Sequence, residues 1–137
     1  MYLIDTVVLS ELRKRERHAG IVRWLHDKAV DALFLSTITI GKIERGVLRQ
    51  QVKNPVFAEA LRAWLDRTVE TYRDRILRVD TRVARRWGRL SARVRHGGAE
   101  LLIAATALEN GLTVVTRNVR HFLPTGVPVE DPFQDPA

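Results

Sequence analysis

The chain contains no cysteine. Disulfide bridges, thiolate zinc sites and thiol nucleophiles are thereby excluded, and a reducing, cytoplasmic setting fits. No apolar run approaches the roughly 20 residues of a membrane-spanning helix, so no membrane partner is expected. The opening residues Met1-Tyr2-Leu3-Ile4-Asp5 lack the basic-then-apolar layout of a secretory signal. There is no glycine-rich phosphate loop, no internal repeat and no low-complexity linker. The histidines His18, His26, His96 and His121 show no ligand-type spacing, and Ser10 and Ser36 have no evident histidine partner. Nucleophilic catalysis and nucleotide hydrolysis therefore have little support. Acid is also short: 16 Asp and Glu stand against 23 Lys and Arg, for a net charge of +7. Such an excess favours a polyanionic partner, either nucleic acid or an acidic protein that masks the same surface.

What is present suits one domain spanning residues 1–137, because 45% of the residues are hydrophobic and can bury a core. Residues 131–137, with Pro132 and Pro136, are expected to form a loose C-terminal tail. Tyr2 to Ile4 reads as a buried strand ended by Asp5, followed by a helix through Val8, Leu9 and Leu12. Ile21, Trp24 and Leu25 mark a second helix, and Leu33-Phe34-Leu35 a second strand. Ser36-Thr37 supplies hydroxyl caps for a helix through Ile40, Ile43 and Val47. Asn54-Pro55 starts the next helix, which carries Phe57, Leu61, Trp64 and Leu65 on one face. Ile76 to Val79 predicts a third strand, and Asp80-Thr81 caps the helix after it. The alanine-rich stretch from Leu101 to Leu108 predicts a buried helix stopped at Gly111. Leu112 to Val115 predicts a fourth strand, and Val127 to Val129 a fifth on an edge, where Pro128 costs no ladder bond.

Strands alternating with helices predict a parallel sheet of four or five strands covered on both faces, a three-layer α/β/α domain. Ligands of such sheets bind beyond the carboxyl ends of the strands. Asp5 falls at such an end and Asn118 just past another. Asp5 could alternatively do no more than cap its helix, although Thr6 could serve there too. Glu100, at the start of the buried helix, could simply favour the helix dipole or join Asp5 in holding a hard divalent cation. Arg82, Arg85, Arg86, Arg89 and Arg93 recur at helical spacing with no acid among them, beside an apolar stripe of Val83, Trp87, Leu90 and Val94. The arginines form either a solvated face or a surface for phosphate or an acidic partner. Arg13, Lys14, Arg15 and Arg17 cluster close in sequence to Asp5.

Several segments in order resemble the PIN domain, and within it the VapC toxins of bacterial toxin–antitoxin pairs. They are Tyr2-Leu3-Ile4-Asp5-Thr6 with Val8-Leu9-Ser10-Glu11-Leu12; Leu35-Ser36 followed by Thr39-Ile40-Gly41-Lys42-Ile43-Glu44-Arg45-Gly46; Val79-Asp80 with Trp87-Gly88; Leu102-Ile103-Ala104-Ala105-Thr106-Ala107; Val115-Thr116-Arg117-Asn118; and Gly126-Val127-Pro128-Val129 through Pro132-Phe133. The resemblance implies the PIN-like α/β/α fold and a Mg²⁺- or Mn²⁺-dependent endoribonuclease. It further implies an RNA substrate (often tRNA), a homodimer, and a VapB-type antitoxin that blocks the site.

Carried over by position, the resemblance makes Asp5 the first acid of the site and puts Glu100 where an aspartate is usual. Lys42 stands where a glutamate is usual. Asn118 stands where some members have an acid and many an asparagine, with His121 where the latter often place an aspartate. Val7 replaces a usual asparagine. Asp5, Lys42, Glu100 and Asn118 are thus the candidate catalytic residues, Asp5 and Glu100 the candidate metal ligands. Arg13, Lys14, Arg82, Arg86, Arg89 and Arg117 are the candidate RNA contacts. An ammonium about 4 Å from a divalent ion repels it by about 8 kcal/mol at an effective dielectric of about 20, before solvent and side-chain motion reduce the effect. Two readings therefore stand side by side. In one, Asp5 and Glu100 hold a metal and Lys42 swings out or contacts phosphate. In the other, Lys42 occupies the metal's place as a built-in cation paired with Asp5 and Glu100, and the protein binds antitoxin or RNA without efficient cleavage. A third reading, an interaction domain that uses only the basic stripe, leaves the ordered motifs unexplained.

Overall fold

The computed structural model describes residues 1–95 and 98–134. His96 and Gly97, and residues 135–137 of the expected tail, lie outside the described residues. Strands β1 (Tyr2–Ile4), β2 (Leu33–Ser36), β3 (Ile76–Leu77), β4 (Thr113–Val115) and β5 (Val129–Glu130) form one sheet in the order β3-β2-β1-β4-β5. All its pairings are parallel. The helices are α1 (Thr6–Leu12), α2 (Ala19–His26), α3 (Thr37–Lys53), α4 (Pro55–Thr71), α5 (Thr81–Arg93), α6 (Gly98–Asn110) and a short α7 (Val119–Phe122). They cover both faces, giving the predicted three-layer arrangement.

The strand period explains the two cores. Successive side chains point to opposite faces, so Leu3 and Val114 pack with Val83, Leu90, Ile103 and Phe122 on one side. Ile4 and Val115 pack with Val8, Ile21, Leu35, Ile43 and Leu65 on the other. A buried two-faced sheet of this kind needs strands that are largely apolar, as Tyr2-Leu3-Ile4 of β1 and Val114-Val115 of β4 are.

Three helix starts follow the predicted capping chemistry. Ser36 Oγ accepts from the Ile38 amide at 3.0 Å, Asn54 Oδ1 from Phe57 at 3.1 Å and Asp80 Oδ1 from Val83 at 2.9 Å, each stabilising by about 1 kcal/mol. Gly111 takes the left-handed conformation, φ +66°, that ends α6 where it was expected to end.

The structure differs from the expectations at three places. β3 stops at Leu77 and does not reach Val79. Its partner β2 ends at Ser36, opposite Leu77, and Ser36 is committed to capping α3. Beyond that point β3 has nothing to pair with. The edge strand is shifted to Val129–Glu130, with the Pro128 carbonyl still accepting from Val114 at 2.9 Å. Finally, the tail is not loose over residues 131–134. Pro132 is buried, the Phe133 amide donates to Asp131 Oδ1 at 2.9 Å, and the Phe133 ring lies against His18 and under Arg117.

This docking depends on Gly20. A Cβ there would collide with the backbone carbonyl of Pro132, which cannot rotate away as a side chain could. Gly20→Ala is expected to displace the 131–134 segment and cost about 1–3 kcal/mol, in the range of overpacking. Urea denaturation checks this, and an unchanged midpoint would show that the segment contributes no docking energy.

Candidate active site

Asp5 leaves the carboxyl end of β1, the central strand, and is only 2% exposed. Its amide continues the ladder to the Val115 carbonyl at 2.9 Å, and its own carbonyl accepts from Val8 and Leu9. The carboxylate makes no capping bond to α1, so the plain explanation of this acid as a helix cap does not hold. Instead Oδ2 accepts the Thr116 hydroxyl proton at 2.7 Å, and Oδ1 has no partner among the described residues. A buried carboxylate oxygen left unmatched is destabilising by a few kcal/mol unless another group supplies the missing contact.

Thr116 is the residue that sequence reasoning passed over. The β1–β4 register sets Ile4 opposite Val115, so the next residues, Asp5 and Thr116, meet at the sheet edge. Thr116 Oγ1 also accepts from the Asn118 amide at 3.0 Å. The backbone at Asn118 thus orients the threonine, and the threonine orients the aspartate. The available signal was a hydroxyl directly after an apolar strand, but it needed the strand neighbours to be known. Asn118 itself is exposed, and the contact it makes here is through its backbone. The Thr6 and Thr39 hydroxyls are likewise buried and unpartnered, two further oxygens that composition did not single out.

Lys42 lies on α3 one turn beyond Thr39, half-buried, and faces a pocket of about 260 Å³ lined also by Thr6, Ser10 and Arg13. Among the described residues it has no carboxylate partner, so the structure does not pair it with Asp5 or Glu100. Glu100 sits in the first turn of α6, half-buried and without an ion pair among the described residues. No group of three or more His, Asp or Glu placed to hold a metal occurs among the described residues. A divalent ion needs several hard oxygen ligands. Asp5 Oδ1 is of the type that demand calls for and so is the Glu100 carboxylate, while Lys42, an ammonium, supplies no oxygen ligand.

The predicted RNA contacts divide into two groups. Arg13 lies over the Phe57 ring at 5.0 Å and lines the same pocket as Thr6 and Lys42; Arg117, two residues past the end of β4, lies over Phe133 at 4.1 Å. Lys14 is paired with Glu11 at 2.8 Å. That hydrogen bond, against a smaller opposing effect of burial, holds the Glu11 carboxyl below its ordinary range. Arg82, Arg86 and Arg89 converge on Glu109 at 3.2, 2.8 and 3.8 Å. The stripe has no acid along its own helix, but α6 brings one to it. Glu109 is nine residues beyond Glu100, about 13 Å of helix rise, at the end of α6 that leads into the start of β4. These three arginines are therefore gathered away from Asp5.

The Arg86 hydrogen bond is the main reason the Glu109 carboxyl sits below its ordinary value, with burial opposing and Arg82 adding. A carboxyl depressed on folding stabilises the protein above its unfolded pKa, and that contribution is lost as pH falls through the folded value. Wild type is therefore expected to lose stability over the acid side of that range more steeply than Glu109→Gln. Parallel urea titrations check this, and identical acid limbs would contradict it.

Compared with known families, residues 2–123 match the PIN domain. This chain belongs to the PIN-domain family. It is similar to Plasmid stability protein StbB of Pseudomonas syringae pv. tomato, 33% identical over 98% of this chain and 99% of that protein. Toxin FitB of Neisseria gonorrhoeae is 31% identical over 98% of this chain and 100% of FitB. A crystal structure of FitAcB from that organism matches with TM-score 0.77 at 26% identity, covering 97% and 99% of the two chains. VapC ribonuclease Y4jK of Sinorhizobium fredii is 27% identical over 98% of this PIN chain and 99% of its own length.

Proposed function

We propose that this chain is the toxin of a type II toxin–antitoxin pair, a metal-dependent endoribonuclease that hydrolyses RNA phosphodiesters, with tRNA a candidate substrate, at a site centred on Asp5. The names of the full-length relatives, a toxin and a VapC ribonuclease among them, support the reaction class. The observation on which the site rests is Asp5 Oδ1, a buried carboxylate oxygen positioned by Thr116 and spent on nothing. A Mg²⁺ or Mn²⁺ ion held by Asp5 and Glu100 would supply an activated water and neutralise charge on the scissile phosphate. Thr116 fixes the Asp5 carboxylate so that one oxygen stays free. Lys42 and Arg13 face the same edge with positive charge for the backbone of the RNA. A VapB-type antitoxin, a homodimer and a cytoplasmic setting complete the reading.

The purified chain, freed of antitoxin, is expected to cut RNA with Mg²⁺ or Mn²⁺ and to stop on chelation. RNA left intact under both ions would favour the second reading, a PIN protein whose Lys42 leaves it able to bind but poorly able to cut.

A further inference from the structure

We propose that the trough between α1, α3 and α4 is a subsite for an RNA phosphate adjoining the one that is cut. This rests on the ribonuclease reading of the Asp5 edge. The trough is lined by Thr6 and Ser10 from α1, by Arg13 directly after it, by Lys42 and Gly46 from α3, and by Phe57 from α4. Thr6 and Ser10 are four apart, as are Lys42 and Gly46, so each pair presents one helix face to the same space. The lining contains two cations and no acid, and neither cation has a carboxylate partner among the described residues.

Three features fit a phosphodiester. Arg13 is laid on the Phe57 ring, so its guanidinium is already held in place for a forked contact to phosphate oxygens. Thr6 keeps a hydroxyl buried beneath the trough with no partner among the described residues, a donor that a phosphate oxygen meets once the side chain turns outward. Gly46 carries no side chain at the middle of α3, and a Cβ there would meet nothing within 4 Å. A helix interior normally disfavours glycine, and here it leaves the trough open. Thr6 is also the residue after Asp5. A strand laid across the Asp5 carboxylate therefore carries its adjoining phosphate to this trough.

The test measures binding of a short single-stranded RNA to the whole chain in EDTA, across a salt series. Arg13→Ala is expected to weaken binding about tenfold and to reduce the salt slope by about 0.7, one phosphate contact on a single strand. Gly46→Leu fills the trough and is expected to weaken binding at least tenfold, while Gly46→Ala, which adds one methyl group, folds normally and changes it much less. Should Gly46→Leu fail to fold, Arg13→Ala alone decides. If wild type cuts and binds RNA but both variants bind it with unchanged affinity and slope, the subsite is wrong and the ribonuclease reading stands. If wild type cuts RNA with Mg²⁺ but binds none in EDTA, the subsite is wrong and the ribonuclease reading stands; if it neither cuts nor binds, both fall. If Arg13→Ala leaves RNA binding intact but weakens the antitoxin complex, the trough receives an acidic protein segment and the proposal is overturned.

Discussion

Asp5→Asn is expected to reduce metal-dependent RNA cleavage by about a thousandfold or more while leaving the folded protein at least as stable. The two halves of this result have one cause. The Asp5 carboxylate is buried, with Oδ2 satisfied by Thr116 and Oδ1 by nothing. Folding therefore bears the cost of desolvating a charged oxygen without a return in hydrogen bonds. An amide of the same shape keeps an acceptor for the Thr116 hydroxyl and removes the buried charge. Catalysis moves the other way. Charge stabilisation through a bound divalent ion is worth several kcal/mol, and each 1.36 kcal/mol is about tenfold in rate. Fragment formation on a gel and urea denaturation read the two quantities separately. A variant that cuts RNA as wild type does would remove Asp5 from the chemistry. One that loses activity together with several kcal/mol of stability would make it a structural residue.

The place of the candidate site was legible in the sequence because parallel sheets put ligands at one edge, and a strand end can be recognised locally. Asp5 ends an apolar run, Ser36 and Asp80 precede helices, and Gly111 closes one; each of these depends only on chain neighbours. What was hidden depends on partners far along the chain. The link from Thr116 to Asp5 spans more than a hundred residues and exists because β4 lies beside β1. The arginine stripe on α5 looked free because its counter-ion, Glu109, is on another helix. The segment from Asp131 to Gln134 looked loose because its proline content says nothing of the notch that Gly20 leaves for it. Local chemistry marks where elements begin and end, while the pairing of charges across elements becomes visible only in three dimensions.

Lys42→Glu separates the two roles open to this position. It replaces a cation that shares a pocket with Thr6, the neighbour of Asp5, by a carboxylate, which would turn repulsion of a divalent ion into attraction. Repulsion at an assumed separation of about 4 Å would amount to about 8 kcal/mol at an effective dielectric of about 20. Lys42 is only half-buried and has no ion-pair partner among the described residues, so its ammonium can turn towards the trough and most of that figure is not realised. A gain of ten- to a hundredfold in Mg²⁺ or Mn²⁺ affinity by calorimetry is the expected remainder, with cleavage at low metal concentration rising alongside. RNA binding in EDTA should move the opposite way and weaken severalfold, because the trough loses a cation and gains an acid. The opposed signs matter: damage to the fold would lower both quantities, and a remote surface lysine would change neither. If metal affinity stays constant while RNA binding falls, Lys42 belongs to the phosphate trough alone, and the ion at Asp5 and Glu100 does not sense it. If both rise, Lys42 in the wild type holds the edge closed to RNA and metal alike. The absent acid would then act as a built-in restraint on the nuclease.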